Sequence, residues 1–325
     1  MQPVPQKQRK SSTFLSLLFK VALTAAAFWF ALHDVTFEDL AHTIQQQKIE
    51  GLLLAGLCIF CQIVLGGLRW RYILSSLSEF GKAVISTWDA VRLYYISVFF
   101  SSCLPGTVGG DVVRVWITKS ERISLSLSVN SIILDRLIAL AALAVIVCAM
   151  LPMLADVMGF NFWLAYIIIM ISLLLGLWFL RGIEKFFAPY KHIKLVHFGL
   201  YFIGCLRQMV RSSGTGFNAL VFAVAAHIFS CACTYIIAQG MGVPLSFQHA
   251  LMFVPLVMLI TTLPISIGGW GVREVSMVWF LGLVGISSGD AVAISLQTGL
   301  MSMLMSMPGA LLWLLHKRKS GTMPA

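Results

Sequence analysis

"LPGTVGGDVVR", Leu104 to Arg114, is the stretch on which the reading of this chain turns. It carries one Pro, three Gly, one Asp and one Arg, and it follows the uncharged run "LYYISVFFSSC". Gly and Pro at this density interrupt helices. The surrounding composition sets the medium in which the interruption falls. Of 325 residues, 59% are hydrophobic and only 11% charged, where soluble domains carry about 25% charged residues. Several uncharged runs approach the roughly 20 residues needed to cross a bilayer. The chain therefore reads as an all-α polytopic membrane protein. Irregular backbone at membrane depth is tolerated only where protein or water covers it, and such breaks commonly line a site.

The apolar runs predict six full spans: Phe14–Leu32, Gly51–Leu68, Leu127–Leu151, Phe162–Leu180, Ala219–Gln239 and Ala291–Leu315. Three further pieces, Leu93–Val108, Leu251–Ile267 and Val275–Ser287, are broken by Gly and Pro or are short. The net charge is +10. Most of the 23 Lys and Arg residues fall at the N-terminus and in segments 69–92, 111–122, 181–211 and 317–319. Clustering between apolar runs fits the positive-inside rule better than nucleic-acid binding, and it puts those segments and both termini in the cytoplasm. The loop His33–Glu50, with Asp34, Glu38, Asp39 and Glu50 against Lys48, reads as outside, as does the uncharged Met241–Gln248. Because the segments on both sides of Leu93–Val108 are basic, that piece should enter and return as a re-entrant hairpin turning near "CLPG". Residues 1–13 read as a cytoplasmic tail and 14–325 as one integral membrane domain.

The opening motif occurs twice. "LPGTVGGDVVR" and "LPISIGGWGVR" (Leu263–Arg273) share six of eleven positions at an offset of 159 residues. Three spans lie between the copies, an odd number, so the second copy should face the opposite side. Val275–Ser287 would then be the return arm of a second hairpin, and Ala291–Leu315 would bring Lys317, Arg318 and Lys319 back inside. The result is an inverted repeat, about 51–151 and 219–315, with six spans and two opposed hairpins. If Val275–Ser287 spans instead, the count is seven or eight. Opposed repeats with broken helices meeting near the midplane are characteristic of transporters.

Taken together, "FFSSCLPGTVGGDVVR", the acidic–Arg pair Asp135-Arg136 on the following helix, "PISIGGWGVRE" (Pro264–Glu274) and "RWRY" (Arg69–Tyr72) resemble the lysylphosphatidylglycerol synthase transmembrane-region family, the flippase-like membrane proteins. The resemblance covers nearly the whole sequence. One departure is Ser101, where the family often has Asn. The resemblance implies lipid transport across a bacterial or archaeal inner membrane, with lipid- or glycan-synthesis enzymes as partner candidates. The chain runs only just past its last span, so no soluble aminoacyl-transfer domain is expected in it. The alternatives are a membrane subunit or remnant of a phospholipid-aminoacylating enzyme, or a scaffold for lipid or glycan synthesis.

Charged groups inside a membrane cost a few kcal/mol each and are functional candidates for that reason. Asp111 and Arg114, three apart, would share a helix face. A guanidinium binds phosphate bidentately, so Arg114 and Arg273 are read as binding the phosphate of a lipid headgroup. Asp111 and Glu274 would balance their charge. Arg273 and Glu274, being adjacent, would point to different sides of a helix. Asp135, Arg136 and the turn residues Pro105, Gly106, Gly109, Gly110, Pro264, Gly268, Gly269 and Gly271 would support the site. Arg69 and Arg71 read as an interfacial anchor, and His227 as a lone core histidine. Segment 181–211 reads as an amphipathic stretch on the membrane surface. The seven Cys lie mostly in apolar runs, and the mid-helix pair Cys58 and Cys61 has no second pair or His nearby, so no metal site is read. "GTVGGD" lacks the Lys-Ser/Thr of a phosphate-binding loop, and no catalytic constellation stands out. The expectation is a transporter without cofactor, running on a gradient or passively.

Overall fold

The structure, a computed structural model, describes residues 21–22, 24–33, 35, 38, 43–77, 85–103, 109–120, 123–159, 161, 163–164, 166–168, 171, 186, 188–190, 193–211, 213–263, 266 and 268–320. These residues are helical or in turns, with no strand among them. After a helical segment at 24–32, the helices are α1 (Ile49–Leu77), α2 (Thr87–Cys103), α3 (Gly109–Ser120), α4 (Leu125–Met158), α5 (Lys194–Arg211), α6 (Ser213–Gly240), α7 (Phe247–Thr262), α8 (Val272–Gly282), α9 (Ser288–Ser306) and α10 (Pro308–Ser320). Four stretches are long and apolar enough to cross a membrane: Ile49–Leu77, Leu125–Met158, Gly214–Gly240 and Ser288–Leu315. The chain is an all-α polytopic membrane protein. Of the other two expected spans, Phe14–Leu32 lies partly and Phe162–Leu180 mostly outside the described residues.

Serine caps open several of these helices. The Ser124, Ser246 and Ser287 hydroxyls accept the backbone N–H of Leu127, His249 and Asp290, satisfying donors that a helix start leaves unpaired. Gly159, at φ 69°, ends α4, and its N–H donates to the Ala155 carbonyl.

Each repeated motif joins two short helices that fold back on each other. In the first hairpin, Gly110 of α3 rests on the Ser97 carbonyl and the Ser101 hydroxyl of α2. Ile117, two turns on, packs in one cluster with Ala90 and Leu93 near the start of α2. In the second, Gly269 meets Thr261, and Phe280 of α8 stacks on Phe253 of α7 at 5.6 Å. Helix α8 has 11 residues, about 16 Å at 1.5 Å per residue against a hydrocarbon core of about 30 Å. On its own it is too short to cross, as a return arm would be. The turns themselves, with Pro105, Gly106 and Pro264, lie outside the described residues.

The two halves pack as counterparts: α1 matches α6, α2 matches α7, α3 matches α8, and α4 matches α9 with α10. Helix α4 lies on α7 as α9 and α10 lie on α2, α4 touches α6 as α9 touches α1, and α1 packs along α6. The α1–α6 pair is antiparallel. The Lys48 N–H at the start of α1 donates to the Gly240 carbonyl at the end of α6 (3.2 Å), while Leu77 at the end of α1 clusters with Ala219 and Ala223 near the start of α6. Equivalent helices running in opposite directions are what an inverted repeat requires.

One expectation is corrected here. The second span does not stop at Leu68, because α1 continues through Arg69, Trp70 and Arg71 to Leu77; the charge of Arg69 is met inside the bundle, so nothing forces the helix to end. The last expected span is present as Ser288–Leu315, with a turn at Met307 before Pro308 opens α10, a residue suited to a first helical position.

Candidate functional site

The two hairpins, with α1, α4, α6 and α9, enclose a cavity of about 450 Å³, within the usual range of small-molecule sites, about 300–1,000 Å³. Arg69, Arg114, Arg136 and Arg273 all line it, with Asp111 and Asp135. Four guanidiniums thus converge in an apolar bundle from four different helices.

The first hairpin supplies a chain of ion pairs. Asp135, about three turns inside α4, accepts from Arg69 Nε at 2.7 Å and from Arg114 Nη1 and Nη2 at 3.4 Å each. Arg114 Nη2 also donates to Asp111 Oδ1 at 3.1 Å, and Asp111 Oδ2 pairs with Arg136 Nη2 at 2.8 Å. The charges alternate along the path Arg69, Asp135, Arg114, Asp111, Arg136. Arg114 and Asp135 are 1% and 2% exposed. The Arg114 guanidinium lies between the rings of Trp70 and Tyr94, 4.8 and 5.1 Å from their centroids. Buried charges persist when paired and hydrogen-bonded, and that condition is met here.

The second hairpin is built differently. Glu274 is fully buried, and its Oε2 accepts the Gly271 N–H at 2.6 Å, which closes the first turn of α8. Its Oε1 accepts from Arg273 Nη2 at 2.7 Å and from the Ser295 hydroxyl at 2.9 Å. Arg273 rests on Trp270, 4.4 Å from the ring centroid, and its side chain keeps 22% exposure. The guanidinium lies across α9 at Gly299, where a Cβ would collide with it. Gly271, at φ 79°, is approached by the 24–32 segment: a Cβ there would meet the Thr24 carbonyl at 2.8 Å.

The structure brings together Asp111, Arg114, Asp135, Arg136 and Arg273 on one cavity. Gly268 also lines the cavity, Gly109 begins α3, and Gly110, Gly269 and Gly271 shape the hairpins behind the cavity. Two expectations change. Arg69 is buried in the bundle rather than interfacial. Arg273 and Glu274 do not diverge; they bond to each other, and Glu274 sits behind Arg273 rather than on the cavity wall. Asp135 and Arg136 both engage motif residues, and Arg71 lies outside the cavity lining. Sequence reading missed Tyr94, Thr261, Thr262 and Trp270, all on the cavity wall. Trp270 did carry a signal, since it holds the repeat position that Asp111 holds in the first copy. Among the described residues no group of three or more His, Cys, Asp and Glu side chains gathers to hold a metal.

The family model described as "Lysylphosphatidylglycerol synthase TM region" matches residues 17–309. No curated protein matches the chain.

Proposed function

The chain belongs to the lysylphosphatidylglycerol synthase TM region family, whose members are membrane proteins linked to lipid biosynthesis or flipping, and from that premise we propose that it is a flippase-like transporter that moves a phosphate-bearing lipid between leaflets. The observation that carries the reading is the convergence of both repeated motifs on one basic cavity. Four guanidiniums face three carboxylates, Glu274 included, so an anion completes the balance. The arginines divide the work. Arg69 and Arg114 are held by Asp135 and frame the cavity. Arg273 and Arg136, at 22% and 47% side-chain exposure, take the phosphate by charge-assisted hydrogen bonds. The acyl chains stay in the bilayer. Opposed hairpins give the headgroup a way in from either side, in the manner of inverted-repeat transporters. The basic end of the bundle is cytoplasmic, in a bacterial or archaeal inner membrane.

The test is translocation in proteoliposomes with tail-labelled phospholipids of differing headgroup. Wild type is expected to move at least one headgroup, and Arg273→Gln with Arg136→Gln to slow it at least about tenfold, the loss of one charge-assisted bond, with the variant checked to be folded because Arg273 also pairs with the buried Glu274. Movement at the wild-type rate by the double variant sinks the site. A folded wild type that moves no headgroup sinks transport.

A further inference from the structure

On the other side of the second hairpin lies a groove of about 670 Å³ that shares no lining residue with the arginine cavity. Helix α7 turns Thr261 to the cavity and Ile260 to the groove, and α8 turns Arg273 to the cavity and Val275 and Val278 to the groove. The facing wall is the 24–32 helix, through Trp29 and Ala31. This helix and α8 are closest at Gly271, where a Cβ would lie 2.8 Å from the Thr24 carbonyl and 2.9 Å from the Ala27 Cβ. Phe28 stacks on Trp270 at the same crossing, 6.2 Å between centroids. Beyond it the groove opens between the two helices, flanked by Trp29 and Trp279, which are 67% and 53% exposed.

The polar groups of this groove are gathered at one end. Ser276 lines it but donates its hydroxyl to the Val272 carbonyl of its own helix at 2.7 Å. The indoles of Trp29 and Trp279 are amphipathic rings of the kind that sit at membrane interfaces. The other polar side chains on the wall are His33 and Ser288. His33 follows the 24–32 helix and Ser288 opens α9 after the α8–α9 turn, so both belong to the end away from Gly271. A bound water needs two to four polar partners, which the apolar length does not offer. An empty groove would forfeit dispersion contacts along its whole lining. The shape and the placement of polar atoms suit an amphiphile, with hydrocarbon along the wall and its polar end at His33 and Ser288.

We infer that this groove seats one acyl chain of a membrane lipid, whose headgroup lies in the leaflet facing the α8–α9 turn, as a binding site separate from the arginine cavity. The site goes beyond the transport reading and does not depend on it. Its specificity is for the chain: His33 and Ser288 form no clamp for a particular headgroup.

The test is tryptophan quenching of the full chain in detergent by chain-brominated lysophosphatidylcholine and lysophosphatidylglycerol. Tryptophans that merely face the micelle are quenched in proportion to the lipid's share of it, whereas a chain in the groove adds a component that saturates. Wild type is expected to show that component at similar half-saturation for both lipids, and Trp29→Phe with Trp279→Phe to lose it. Val275→Phe with Val278→Phe narrows the groove and should raise half-saturation at least about tenfold, as overpacking does. Ile260→Asn, which sets a polar group against the chain, serves should that pair not fold. Arg273→Gln should leave the component unchanged. Quenching of wild type without a saturable component overturns the site, and a dimer in the same sample would give the groove to a second copy of the chain. A component that survives the groove variants, or that Arg273→Gln abolishes, puts the chain elsewhere and overturns the assignment. A clear preference for one headgroup overturns the chain-only specificity. None of these outcomes decides translocation, which the Arg273 and Arg136 variants test in proteoliposomes.

Discussion

Asp135 is the residue on which the first half of the site depends, because it is the one carboxylate between two buried guanidiniums. Asp135→Asn keeps the shape and removes the charge, leaving Arg69 and Arg114 facing each other. Breaking a buried ion pair costs about 3–5 kcal/mol, and that loss is expected in thermal or denaturant unfolding of the detergent-solubilised protein. Arg136→Gln, at a side chain 47% exposed, should cost less than about 1 kcal/mol. Equal unfolding midpoints for the two variants would mean that Asp135 does not hold the network. The Asp111–Arg114 pair was legible, since three residues apart is a helix-face spacing. The Arg69–Asp135 pair, 66 residues apart, was not, because periodicity does not say which helix meets which. Adjacency misled at Arg273 and Glu274: side chains of neighbouring helical residues diverge at the root, but Glu274 turns back to cap Gly271 and thereby aims an oxygen at Arg273.

For the elements, close packing decides what is tolerated. Gly110 lies so near the Ser97 carbonyl that a methyl has no space, and the atom in the way is backbone. Gly110→Ala should push α3 off α2 and cost about 1–3 kcal/mol of stability, together with transport, since α3 carries Asp111 and Arg114. Gly204, on α5, has nothing within 4 Å of a built Cβ; Gly204→Ala should be neutral or stabilising by up to about 1 kcal/mol. Unfolding midpoints of the two variants check the contrast, and a Gly110→Ala protein as stable as wild type would show that the hairpin arms are not in contact. The first hairpin was legible because basic segments flank a breaker-rich apolar piece. The second was ambiguous by charge alone, and the 11-residue length of α8 is what favours a return. The continuation of α1 through Arg69 was hidden, since an arginine in sequence looks like the end of a span until its partner is known.

Over the whole molecule, two-sided access depends on which side each hairpin opens to. Six identities in eleven gave the duplication, and an odd number of intervening spans gave the inversion; antiparallel α1 and α6 carry the same relation in the packing. Ser86 and Ser124 flank the first hairpin unit, Ser246 and Ser287 the second, and all four are exposed. If each hairpin returns to the side it left, cysteines placed at Ser86 and Ser124 react with a membrane-impermeant thiol reagent from one side of oriented vesicles. Cysteines at Ser246 and Ser287 then react only from the other. The background must lack the seven native cysteines, of which Cys103 is exposed. Losing a serine cap costs about 1 kcal/mol, too little to reverse a topology fixed by about 20 apolar residues per crossing. Labelling of Ser86 and Ser124 from opposite sides would make α2 and α3 a true crossing, and labelling of all four positions from one side would make the repeat parallel. Either result removes the opposed entrances on which two-sided access to the arginine cavity rests. The expected pattern, two and two, leaves the cavity reachable from each leaflet through a hairpin that does not itself span.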